Sequence, residues 1–129
     1  MPSRSSLQDE EMLGAAHASN YFWNLIGTAA NRAHAAQLVA HVYALLKVPD
    51  RANQYLARSE PFFLEQACEP WERACAFAVK ASVAFAGGQF DVHQSSYREA
   101  ARLIGALPDP EDREILNATM HVIPKPDGA

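Results

Sequence analysis

The residues in this chain that could do chemistry are five histidines, two cysteines and a scatter of carboxylates. His34 and His41 are seven positions apart, which puts them on one helix face roughly 10 Å apart along the axis. One metal ion cannot bridge that gap without help from another helix. No HExxH, no pair of histidines four apart and no Glu-x-x-His occurs, so the usual helical metal patterns are missing. Nucleophilic catalysis needs a thiol or hydroxyl beside a base and an orienting acid. Cys75 could meet His34 or His41 if their helices line one groove. No nucleophile elbow or oxyanion turn accompanies it, so a packed cysteine is the simpler reading. Gly87-Gly88 lacks the Lys-Ser/Thr of a phosphate loop and reads as a helix stop. Glu60, Glu65, Glu69 and Glu72 gather around a turn, where solvation accounts for them. The expectation is no catalytic residue, no metal site and no cofactor.

Cys68 and Cys75 flank the Glu69-Pro70 turn without CxxC spacing and read as small reduced hydrophobes. The formal charge is -4 with no basic stripe, which argues against nucleic acid as a partner. No apolar run reaches the length of a membrane span, and no basic amphipathic stretch suggests a membrane surface. The polar, acidic start lacks the apolar segment of a signal peptide, so the expected compartment is the cytoplasm. With 129 residues and 49% apolar content, the chain reads as one globular domain over 1–129, with tails at 1–6 and 123–129.

The elements that must position these groups are helices. Ser6 caps a first helix over 7–26, with Asp9, Glu10 and Glu11 in its first turn and Gly27 as its C-terminal cap. A second helix covers 29–47, with Leu38 counted among its core-facing apolar residues. A third covers 50–67, and Pro61 should kink or split it near Ser59. The fourth starts after Pro70 and runs to 86. The fifth covers 90–106 with Phe90, Tyr97, Ala100, Ala101 and Ile104 as its inner stripe. After Pro108, Asp109 caps a short last helix that starts at Pro110 and ends near 122. No segment alternates like a strand. Short connections make neighbouring helices antiparallel, which gives an all-α fold of about six helices in stacked hairpins.

The segment 43–52 has a counterpart at 84–93, a weak internal repeat of about 41 residues. Each copy joins an alanine-rich helix to an amphipathic one through a tight turn. Ala40 and Ala81 read as close contacts on the first helices, Ala52 and Ala100 on the second, with Leu56 and Tyr97 filling between hairpins. Over residues 33–106 this pattern resembles the tetratricopeptide repeat in its longer form, with a helix before and a helix after. His93 stands where that repeat expects alanine and Lys47 where it expects a turn glycine. The stretch from His17 through Trp23 and Gly27-Thr28 to Tyr43, with Pro108 to Arg113, also looks like a group of small bacterial proteins of this architecture. The resemblance implies a right-handed superhelix whose first helices line a concave groove. On this chain those positions are His34, Gln37, His41, Ala44 and Leu45, then Cys75, Ala78, Ser82 and Phe85. The surface is mildly apolar, lacks the Lys and Asn that grip peptide carboxylates, and suits a peptide or partner helix with apolar anchors.

Tyr21-Phe22-Trp23 span roughly 200° of the first helix, more than one core-facing stripe can hide. Phe22 and Trp23 are assigned inward with Met12, Ala16, Ser19 and Ile26. Tyr21 then points sideways with His17 and Asn24, and self-association through these three as a two-fold homodimer would cover them. The functional expectation is a protein–protein interaction module. The competing readings are a small-ligand binder or enzyme using the His34, His41 and Cys75 neighbourhood, or a structural subunit assembling through helix one.

Overall fold

A computed structural model describes residues 4–66 and 68–126. Its described residues form six helices and no strand. They are α1 (Ser6–Ile26), α2 (Ala29–Leu45), α3 (Pro49–Leu64), α4 (Pro70–Ala86), α5 (Phe90–Gly105) and α6 (Pro110–His121). None is long and apolar enough to cross a membrane.

Local chemistry explains the boundaries. Ser5, one residue earlier than expected, caps α1 through a reciprocal pair with Gln8, and Thr28 caps α2 the same way with Asn31. Gly27 ends α1 in extended conformation, not the left-handed one that a glycine cap suggests. The reason for glycine is space: a Cβ there would sit 2.5 Å from the Trp23 carbonyl oxygen and 2.9 Å from the Asn31 Cβ. Pro61 does not split α3, which runs unbroken to Leu64. The proline removes one bond near the helix end, where the carbonyl of exposed Ala57 can turn to water.

The two hairpin turns share one geometry. Leu46, Lys47 and Val48 donate their backbone N–H groups to Val42, Ala44 and Tyr43. Gly87, Gly88 and Gln89 donate to Val83, Phe85 and Ala84 in the same order. Lys47 takes φ 62° and Gly88 φ 73°, so a lysine adopts the left-handed conformation that the second turn assigns to glycine.

Packing proceeds in order along the chain: α1 on α2, α2 on α3, α4 on both of these, α5 on α4, and α6 on α4 and α5. Ala40, Ala52, Ala81 and Ala100 are all 0% exposed at the helix contacts, as their small size predicts. α4 is central. Its Val79 and Val83 join Ala40, Ala44, Ala52 and Leu56, while Ala74, Ala78 and Ala81 join Ala100, Ile104, Leu116 and Met120.

Several inner-face assignments change. Leu38 is 46% exposed because α1 takes the α2 face carrying Val39 and Val42, and α4 takes the face carrying Ala40 and Ala44. On α5, Phe90 and Ala101 face outward and His93 and Ser96 are buried instead. Phe22 and Ile26 are not inward: they are 49% and 67% exposed. The C-terminal stretch is closed rather than open as far as it is described, since Ile123 and Pro126 are buried. Residues 1–3 and 127–129, parts of the expected tails, lie outside the described residues, as does Ala67 at the expected end of helix three.

Candidate binding site

The side chains singled out for a groove divide between a buried crease and an exposed face. Gln37, Ala78 and Ser82 are buried, Ala44 with them, and Ala78 lies at 0% exposure beneath Leu116 and Met120 of α6. They cannot touch an occupant unless the chain opens. His41, one turn after Gln37, is half-buried, and burial lowers its pKa to about 4. Gln37 Nε2 and His41 Nδ1 are buried without a hydrogen-bond partner among the described residues. Leu45 is half-buried, and His34 and Phe85 keep exposed surface.

His34 is the best-built position. Its Nε2 lies 2.7 Å from Oε2 of buried Glu72, whose other oxygen accepts the Glu69 backbone N–H at 3.0 Å. The imidazole stacks on Trp71 with centroids 5.6 Å apart and 15° between planes, and it meets buried Phe63 edge-on at 4.8 Å. Glu72 is therefore an anchor, not a solvated carboxylate. The signal for it was its place three residues after Glu69, which suits a helix-start acid. The contact with His34 lies on another helix and left no trace in local spacing.

Trp71 also forms a wall of a second feature that spacing did not reveal. A cavity of about 310 Å³ opens between α4 and α6, lined by Trp71, Cys75, Asp112, Ile115, Leu116 and Thr119. Trp71 is 39% and Ile115 64% exposed, so the cavity has an apolar, accessible rim. Asp112 and Thr119 supply its polar atoms. Leu38 stands one turn along α2 from His34 and is 46% exposed. At the other end of α4, about 20 Å away by helical rise, Phe85 walls a separate cavity of about 390 Å³ with Phe90, Asp91, His93, Gln94, Lys125 and Pro126. There His93 Nδ1 donates to the Ala81 carbonyl at 2.9 Å, while its Nε2 is buried and without a partner among the described residues.

His34 is engaged by Glu72, and burial pushes the Cys75 thiol up to about 11, which disfavours the thiolate a nucleophile requires. Cys68 is also raised, chiefly by burial. Both cysteines are free. Among the described residues no three His, Cys, Asp or Glu side chains gather closely enough to hold a metal ion. Of the expected self-association residues, His17 turns inward: its Nε2 lies 2.8 Å from the Tyr43 hydroxyl and its ring meets Tyr43 and Tyr55 edge-on. Tyr21 and Asn24 are exposed. No family model, curated protein or solved structure matches this chain.

Proposed function

We propose that this chain is a cytoplasmic protein–protein interaction module that binds a peptide or partner helix on the face shared by α2, α4 and α6. The observation that carries the reading is the apolar cavity between α4 and α6, rimmed by exposed Trp71 and Ile115. Trp71 is held from one side by the His34–Glu72 pair, so its ring is ordered before any partner arrives. A rigid tryptophan beside an apolar pocket is the usual make-up of a binding hot spot, because little side-chain entropy is lost on docking. A cavity of this size holds one or two side chains, and the Asp112 carboxylate at its edge favours a basic neighbour. The preferred partner segment therefore presents a large apolar anchor flanked by Lys or Arg.

A tetratricopeptide-like superhelix is the architecture that fits this role. The matching turn hydrogen bonds at the two hairpins and the order of helix packing support it. In that arrangement α2, α4 and α6 are the helices that line the concave side. Two free cysteines and the absence of a membrane-length apolar helix among the described residues fit the cytoplasmic reading.

The test is affinity capture from native cytosol with wild type beside Leu38→Glu/Ile115→Glu. Both sites are exposed, so each change should alter stability by no more than about 0.5 kcal/mol. A partner held by wild type, lost by the variant and then bound directly as a purified segment supports the module. Identical capture profiles from two equally folded proteins would sink it.

A further inference from the structure

The outward face of α1 carries an apolar row that the other described residues leave uncovered. Its inward face is spent on the chain's own core, where Ala16 packs with Met12, Leu13, Val39 and Val42. The opposite face presents Leu7 at 62%, Tyr21 at 70% and Leu25 at 66% exposure, with Phe22 at 49% and Ile26 at 67% beside them. A helix that is apolar on both faces is normally covered on both. Position by position, the outer row reads Leu7, Glu11, Gly14, Ala18, Tyr21, Leu25, with steps of four and three in strict alternation. That is the spacing of a helix–helix seam. The centre of the row is small: a Cβ added at Gly14 would meet nothing within 4 Å, and Ala18 is exposed.

We infer that α1 is the interface of a two-fold homodimer in which the two α1 helices run antiparallel and cross at Gly14 and Ala18. The row complements itself in that register alone. With the axis beside the centre, Leu7 of one copy meets Leu25 of the other, Gly14 meets Ala18, and Glu11 meets Tyr21, whose hydroxyl can donate to the carboxylate. The acids Asp9, Glu10 and Glu11 all lie in the first half of α1, and none follows in its second half. An antiparallel pair therefore sets acid-bearing turns against acid-free ones, whereas a parallel pair would bury Glu11 against Glu11. The small central residues let the axes approach, so the large residues at both ends can reach across. The five large apolar residues expose on the order of 600 Å² per chain, near the roughly 800 Å² per partner of a specific interface once the small centre is added. This surface lies on α1, apart from the α4–α6 cavity, so the dimer and the binding module stand or fall separately.

The experiment is sedimentation velocity of the whole chain over a micromolar to millimolar series, with Gly14→Leu, Tyr21→Asp and Ile115→Glu alongside. Wild type should form dimers. Gly14→Leu has open space in the single chain and improves helix propensity, so circular dichroism should show it folded. It should nonetheless weaken association by roughly tenfold or more, because leucine props the axes apart. Tyr21→Asp should do the same, and Ile115→Glu should dimerise like wild type. Register is read from Leu7→Glu and Leu25→Lys: each alone should dimerise poorly, and the mixture should recover a dimer. Wild type that stays monomeric throughout overturns the inference. So does a dimer indifferent to Gly14→Leu and Tyr21→Asp, and so does a mixture that recovers nothing.

Discussion

The residue with the clearest physical consequence is His41. Its Nδ1 is buried without a hydrogen-bond partner among the described residues, and burial holds its pKa near 4 where the exposed value is 6.5. The unfolded chain takes up a proton at the ordinary value, and the folded chain only near the lower one. Between the two the unfolded state binds more protons, so stability falls as pH drops through this window and is fully present above it. The upper bound for one group with this shift is about 3 kcal/mol, and residual solvent access lowers it. His41→Leu should therefore lose less thermal stability between pH 7 and pH 4.5 than wild type does. Equal losses in the two proteins would show that acid sensitivity arises elsewhere. The same burial means that His41→Glu would place a carboxylate where little water reaches and destabilise the fold. His41 was legible as one of two histidines on a helix face. Its burial was not, because that depends on how closely the neighbouring helices approach.

At the scale of elements, caps and turns carry most of what can be read locally. Serine and threonine at helix starts, proline in first turns and glycine at stops are short-range devices, and all six helix starts fall within one residue of expectation, α1 among them despite its shifted cap. The two hairpin turns go further. Lys47 and Gly88 hold the same left-handed conformation, which a lysine reaches only at a steric cost. Lys47→Gly should stabilise the protein by about 0.5–1 kcal/mol, since relief of that strain outweighs the added freedom of the unfolded chain. Urea denaturation at neutral pH is the check. A loss of stability would mean that the lysine side chain contributes something its backbone does not show.

For the whole molecule, the close helix contacts are the sensitive points. Ala81 is 0% exposed on central α4, and its carbonyl accepts the His93 imidazole. Ala81→Leu should overpack that layer and cost about 1–3 kcal/mol, measured as a shift in thermal midpoint. A cost below about 0.5 kcal/mol would mean that the α4–α5 layer has slack. The same packing explains why α1 keeps a bare apolar face. Among the described residues α1 packs chiefly on α2, and its opposite face meets no other helix.

The all-helical class, the helix starts and the small residues at the contacts were present in the order of residues, because periodicity, caps and side-chain volume act over a turn or two of chain. The choice of which apolar residues stay outside was not. Leu38, Trp71, Ile115 and the outer row of α1 are as apolar as the core, and a helical pattern cannot tell a face that meets another helix from one that meets solvent. Glu72 reaches His34 across thirty-eight residues, and the α4–α6 cavity exists only where two distant segments pack imperfectly. Such features depend on distances between helices, and those are set by the assembled fold rather than by any local run of sequence.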